Sequence, residues 1–493
     1  MSSIRELIEQ IPDPSRSADE RVQLSCQLAK QFEKKGNYEA ACRALRSVWP
    51  GIGHHPNLDT LHKRTAGEVL LRVGVLTGWI GSSRLIKGSQ QIAKNSIGES
   101  IVIFESLADR KKVAEAQTEI AMCCMREGAL ETARMWYTTA LAYLDDDDGD
   151  LKALAILRAA AIETLSSRFE NALNLLGTEA ALFEASTNHN LRGCFHSELA
   201  RALKNLGVAE GREEYVDRAL NEYAVAISHL EQAGHARYQG IAENNIAMLL
   251  LQRGRFAEAH AHLDRAQALN THTGDRGILG GIEESRARVL VAEKRFAQAE
   301  KTVLRAVEML EKGDEHTRLA QALTTQGIAL ANLHRLEEAK TALCRAIEVA
   351  TLAGDFENAG IAALSLLEHL TEELSEDELC AVLEFARSSL RDTQDVKTHD
   401  RLTECAYRAL SIIHTARPDW SNFSLDETLR RHEARFIQMA LEDSGGSVTK
   451  AAELLGLPGH QSLNFIINRR HPNLLAARTP VKPRRRSIIK KMN

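Results

Sequence analysis

The 493-residue chain is short of aromatic side chains, 5% in all, and of proline, with nine. Strands favour aromatic and β-branched residues. A chain this poor in aromatics, and dominated by alanine, leucine, glutamate and arginine, points to helix and away from an all-β fold. Eight cysteines are scattered without a CxxC pair, Cys123 and Cys124 being adjacent. That spacing suits neither a disulfide framework nor a zinc site, so free thiols in a reducing cytoplasm are expected. No stretch approaches the roughly eighteen unbroken apolar residues of a bilayer span. The opening "MSSIRELIEQIPDPSRSADE" has no apolar leader segment, so no membrane partner is expected.

Signatures of chemistry are missing too. There is no G-x-x-x-x-G-K-[ST] phosphate loop and no H-E-x-x-H pair. His260 and His262, two apart on a predicted helix, point to opposite sides. His54-His55 occupy a glycine–proline loop with no carboxylate partner nearby. "DDDDGD" at 145–150 resembles a calcium loop, but alignment on Gly149 puts Ala155 where the bidentate glutamate must be. A solvated turn between helices is expected there. The expectation is a protein that is not an enzyme, with no cofactor and no metal.

Charge is unevenly placed. From Leu454 to Asn493 there are nine Lys/Arg and no Asp or Glu. Taking these from the 62 Lys/Arg leaves 53 against 67 Asp/Glu in the rest, a net of −14. An acidic body with a basic tail suggests that the tail alone meets a polyanion.

The middle of the chain repeats. "GRFAEAHAHLDRAQAL" from 254, "KRFAQAEKTVLRAVEM" from 294 and "HRLEEAKTALCRAIEV" from 334 place Phe256, Phe296 and Leu336 forty residues apart. Ala259, Ala299 and Ala339 share the period, as do Ala266, Ala306 and Ala346. Upstream, Ala219 with Tyr223 and Ala226, then Ala172, Ala133 and Ala41, extend it. About eight or nine units are expected between residues 20 and 390, a fixed period being the mark of stacked supersecondary units. Each unit reads as two helices broken near a residue such as Gly254, with alanines where helices cross closely. "SEDELCAVLEFARSSL" and "DRLTECAYRALSIIHTARP" read as a final helix pair. A glycine-rich second unit (73–100) and an insertion at 207–215 depart from the pattern.

These landmarks resemble the tetratricopeptide repeat, with units of forty residues in place of thirty-four. The resemblance implies an α-solenoid over 1–415 whose inner helices bind a protein or peptide partner. Asn244, Asn245, Arg288 and Gln321 are the candidate residues of that groove.

After a linker (416–424, containing Pro418), Ser424 and Glu427 form a capping-box pattern that starts a helix ending near Asp443. Leu429, Phe436, Ile437, Ala440 and Leu441 form its expected apolar stripe. "SGGSVTKAAELLGLPGHQSLNFIINRRH" (444–471) follows. Gly445-Gly446 ends the long helix and Ser447 caps a short one. Gly456 stops that, and a second short helix begins after Pro458-Gly459. This is a helix-turn-helix arrangement. Gly446-Ser447, Ala451-Ala452 and Leu455-Gly456-Leu457 resemble the DNA-binding module of Fis-type bacterial regulators, here over 425–472. The resemblance implies duplex DNA as partner and a homodimer paired through the long helix.

A second helix in the major groove offers its first side chains to bases. With Leu463 and Ile467 inward, His460, Gln461 and Asn464 are the candidate readers, Gln and Asn suiting adenine. Arg469, Arg470 and Lys450 are candidate phosphate contacts, joined by Arg478, Lys482, Arg484, Arg485, Arg486, Lys490 and Lys491 on the extended basic tail (473–493). The reading is a DNA-binding transcriptional regulator. The alternative is a scaffold or adaptor whose basic tail contacts RNA, anionic lipid or an acidic partner.

Overall fold

The computed structural model describes residues 4–415 and 424–477, in two separately packed units, Met1–His414 and Thr415–Asn493. Helix is the only regular secondary structure among the described residues, and none of their helices is long and apolar enough to cross a membrane.

In the first unit α1 (Ile4–Gln10) precedes nine antiparallel hairpins. These are α2 (Ala18–Lys34) with α3 (Tyr38–Ala44), α4 (Lys63–Arg84) with α5 (Ser89–Ser106), and α6 (Arg110–Glu127) with α7 (Leu130–Leu141). Next come α8 (Gly149–Leu165) with α9 (Phe169–Thr178), the short α10 (Ala180–Ala185), and α11 (His189–Glu210) with α12 (Glu213–Ala233). Then follow α13 (Ala236–Gln252) with α14 (Phe256–Thr273), and α15 (Arg276–Ala292) with α16 (Phe296–Leu310). The last are α17 (His316–Asn332) with α18 (Leu336–Ala353), and α19 (Phe356–Leu370) with α20 (Glu376–Ser389). A single helix, α21 (Val396–Thr415), closes the array against α19 through Arg401–Glu368 (2.7 Å). The expected terminal pair is therefore corrected: α20 belongs with α19, and α21 stands alone. The insertion at 207–215 does not break a unit either. α11 absorbs it by running to Glu210, and Gly211 turns the chain with φ +69°.

The landmark alanines explain the stacking. Ala41, Ala133, Ala172, Ala219, Ala259, Ala299 and Ala339 have no exposed surface, so a larger side chain at any of them would force helices apart. The break within every hairpin but α19–α20 is made at a left-handed residue. Gly254 supplies it at φ +68°, but one and two periods on Lys294 (+61°) and His334 (+58°) hold the same conformation at the cost of strain.

The array winds beyond one full turn, so residues 189 to 233 apart in sequence touch. Asp314 accepts from the backbone N–H of Gly88 (2.9 Å) and Gln90 (3.2 Å). Ser82 donates to Glu315, and His316 Nδ1 lies 3.1 Å from the Glu127 carbonyl. The Gln394 N–H donates to the Ser167 carbonyl (2.9 Å). Glycine permits this close seam. A Cβ on Gly277, in the first turn of α15, would sit 2.7 Å from the Ser82 carbonyl oxygen. The departures of the second unit have the same cause: α4 is buried on nearly every side because later hairpins return against it.

The second unit holds α22 (Leu425–Asp443), α23 (Val448–Leu454), α24 (His460–Arg470) and a 3-10 turn, Pro472–Ala477. Its core is Ile437, Ala440, Leu441, Ala451, Ala452, Leu463, Ile467 and Leu474. Leu429 and Phe436 are not in it. Each is 59% exposed, so the expected stripe is corrected: only Ile437, Ala440 and Leu441 face inward.

Candidate functional site

The module first. Gly445 and Gly446, both at positive φ, reverse the chain after α22. Ala451 and Ala452, fully buried, let α23 approach its neighbours. Ser424 caps α22 by accepting from the Glu427 N–H, half of the expected box, and Ser447 stands at the N-cap of α23 without a side-chain hydrogen bond, against expectation. Pro458 and Gly459 release α24, whose Leu463 and Ile467 are buried while His460 and Gln461 are exposed on its first turn.

Asn464 is half-buried on the following turn, and Lys450 is exposed on α23. Arg469 is exposed, its guanidinium 5.5 Å from the Phe465 ring centre. Arg470 is tied down: Glu433 of α22 accepts from it at 3.1 Å and also meets the buried His471 at 2.9 Å. That pairing fastens the end of α24 to α22 and leaves Arg469 the freer of the two cations. Arg478, Lys482, Arg484, Arg485, Arg486, Lys490 and Lys491 lie outside the described residues, as does Pro418 of the linker.

The array encloses a cavity of about 1130 Å³, walled by the first helix of each hairpin. Asn244, Asn245 (α13), Arg288 (α15) and Gln321 (α17) all line it. The wall is densely charged. Arg72 is 3% exposed and donates to Glu33 and Glu115, each at 2.5 Å. Burial pushes the Glu33 carboxyl up to about 7 although Arg72 opposes it. Trp79 stacks on Tyr38 (5.0 Å between ring centres), with the Arg126 and Arg237 guanidinium groups 4.0 and 4.8 Å from its ring.

Sequence reasoning missed Lys204 on α11. It lines the cavity, is 8% exposed, and has no hydrogen bond or ion pair among the described residues. Burial, with Arg288 and Arg201 nearby, pushes its ammonium down to about 7. The signal was available: Lys204 stands forty residues before Asn244, and Asn205 forty before Asn245, so all four share the repeat's inward register. Asn244 Oδ1 is likewise buried without a partner. The histidines need one correction. His55 has a carboxylate partner, Glu99 at 3.1 Å, brought by the next hairpin. His260 and His262 do face apart, toward Glu293 and Glu243.

Comparison with known proteins bears on both units. Residues 428–458 match the model of the bacterial regulatory protein, Fis family. The match ends before α24. A Rap protein complexed with Competence and Sporulation Factor has a similar fold, with a TM-score of 0.51 at 13% identity over 80% of this chain and 99% of that one. A signal transduction ATPase with a tetratricopeptide repeat sensor from Pyrococcus horikoshii gives 0.39 at 16% identity, over 77% of this chain and 54% of that one. Yeast Tom70 gives 0.38 at 12%, over 84% and 87%. No curated protein matches. The chain joins a tetratricopeptide-like helical array to a C-terminal helix-turn-helix module of the Fis type.

Proposed function

We propose that this chain is a DNA-binding transcriptional regulator that acts by binding and not by catalysis, in the cytoplasm. The observation that carries the reading is the match at 428–458 on a three-helix module with its own core. In that reading α24 enters the major groove. His460, Gln461 and Asn464 meet base edges, while Lys450, Arg469 and the basic tail meet phosphates. The array takes a protein or peptide in its cavity. The Rap protein of like fold is complexed with a separate factor, which favours such a role.

A homodimer is part of the proposal. Leu425, Leu429, Phe436 and Met439 are exposed along α22 at spacings of four, seven and three, the 3–4 pattern of a pairing helix.

Selection of bound fragments from genomic DNA by the purified full-length protein tests it. One enriched, roughly palindromic site is expected, weakened by Gln461→Ala more than random DNA is. With about six phosphates neutralised, log K should fall against log salt with a slope near about −5. Binding that ignores sequence, or that prefers RNA or anionic vesicles, would instead support the adaptor reading.

A further inference from the structure

The outward face of α24 has an apolar residue at its centre. Counting about 100° per residue, Phe465 is turned about 200° from each of the buried Leu463 and Ile467, so it points away from the core of the module. It is 59% exposed. Gln461, Asn468 and Arg469 share that face and are exposed, with Asn464 half-buried on its flank. No carboxylate stands anywhere on α24. The Arg469 guanidinium lies 5.5 Å from the Phe465 ring centre, a cation–π contact that steadies the ring from one side.

A single exposed phenylalanine is ordinary on a protein surface. This one is set apart by its place. It stands between a glutamine that suits adenine and an arginine that suits phosphate, in the middle of the face that a groove would cover. Its ring offers no conventional hydrogen bond. The base edges of the major groove are donors and acceptors with one apolar exception, the C5 methyl of thymine. A donor or acceptor pressed against the ring would lose its water and gain no partner.

We propose that Phe465 reads the C5 methyl of a thymine and so fixes a T·A pair in the bound site. This rests on the reading of α24 as the helix that enters the major groove. Gln461 stands four residues before Phe465, about 6 Å along the helix axis. Base pairs rise by about 3.4 Å, so the adenine that Gln461 meets lies about two base pairs from that thymine. Arg469, on the other side of the ring, reaches the backbone and holds the helix in register.

The test starts from the site enriched from genomic DNA by the full-length protein. It is resynthesised as a duplex with each thymine in turn replaced by uracil, which lacks only that methyl. Affinity at one salt concentration is read by fluorescence anisotropy for full-length wild type, Phe465→Ser and Phe465→Leu. Uracil at one thymine position should weaken wild type by about fourfold, the worth of one buried methyl. At that position Phe465→Ser should be indifferent, while Phe465→Leu, with its apolar tip, should keep a preference of about twofold. A bound site with no such position overturns the proposal and leaves α24 a DNA reader. A uracil effect of equal size in wild type and Phe465→Ser also overturns it, since another residue then meets the methyl. Should Phe465→Ser not fold, the wild-type scan and Phe465→Leu decide the matter. Failure to enrich any site overturns the proposal and the DNA-reading role together.

Discussion

Asp314 tests the winding of the array. It stands between α16 and α17, and its carboxylate accepts from the N–H groups of Gly88 and Gln90 and, at 3.4 Å, from the Ser89 hydroxyl. α5 has no side-chain cap of its own, because its N-cap residue is Gly88. Its cap comes from 226 residues away, across the seam between successive turns. Removing an N-cap side chain costs about 1 kcal/mol. Losing a carboxylate at the positive end of the helix dipole costs about 0.5 kcal/mol more. Asp314→Ala should therefore loosen the start of α5 by about 1.5 kcal/mol, or about tenfold in local opening. Asp314→Asn keeps the acceptor, loses the charge, and should cost about a third of that. Hydrogen exchange of the full-length protein, resolved to peptides, reads the effect. Amides of 88–93 should exchange about tenfold faster in Asp314→Ala, with α2 and α3 unchanged. Exchange at 88–93 within twofold of wild type would refute the trans-cap. An equal loss of protection through every hairpin would refute its locality.

Lys294→Gly and His334→Gly should each stabilise the fold by a net of about 0.5–1 kcal/mol and so raise the melting temperature, since glycine relieves a left-handed backbone but adds freedom to the unfolded chain. Glu357 is buried at the seam, accepts from Thr393 at 3.1 Å, and burial pushes its carboxyl up to about 7. The folded state thus binds more protons than the unfolded between about pH 4.5 and 7, and stability falls across that window. Glu357→Gln should be more stable than wild type at pH 8, by at most about 3 kcal/mol, and no more stable than wild type at pH 4.5; a pH-independent difference would show that its proton is not involved. Phe436→Glu leaves the core of Ile437, Ala440 and Leu441 intact, so the protein should stay folded by circular dichroism while sedimentation shows a monomer at concentrations where wild type pairs.

The hairpins were legible because their constraint is local and periodic. An alanine every forty residues marks each tight crossing, and all those named are fully buried. The inward register was legible for the same reason, which is why Asn244, Asn245, Arg288 and Gln321 all fall on the cavity wall. The seam was not. It is held by single pairs such as Ser82–Glu315 and Gly88–Asp314, more than two hundred residues apart and obeying no period. Its one trace in the sequence is glycine where a helix gains nothing from it. Gly277 lies in the first turn of α15, and a side chain there would strike the Ser82 carbonyl. Without knowledge of the pitch such a glycine reads only as a weak helix former.

The long helix of the module shows a different limit. Leu429 and Phe436 lie seven residues apart, close to two full turns, and Phe436 adjoins Ile437, so one broad apolar stripe could hold all five residues expected there. A helix that buries one narrow face in its own module and leaves a second apolar face open has the same pattern, since a step of one residue turns the direction by only about 100°. The structure separates the two: Ile437, Ala440 and Leu441 point inward, while Leu425, Leu429, Phe436 and Met439 do not. A small module does not keep a row of leucine, phenylalanine and methionine in water without reason. The row's spacing of four, seven and three residues follows a heptad, and a heptad row is self-complementary under a two-fold axis. The broad stripe of the sequence therefore divides into one face that folds the module and one apolar face left exposed, the face that the proposed homodimer would cover.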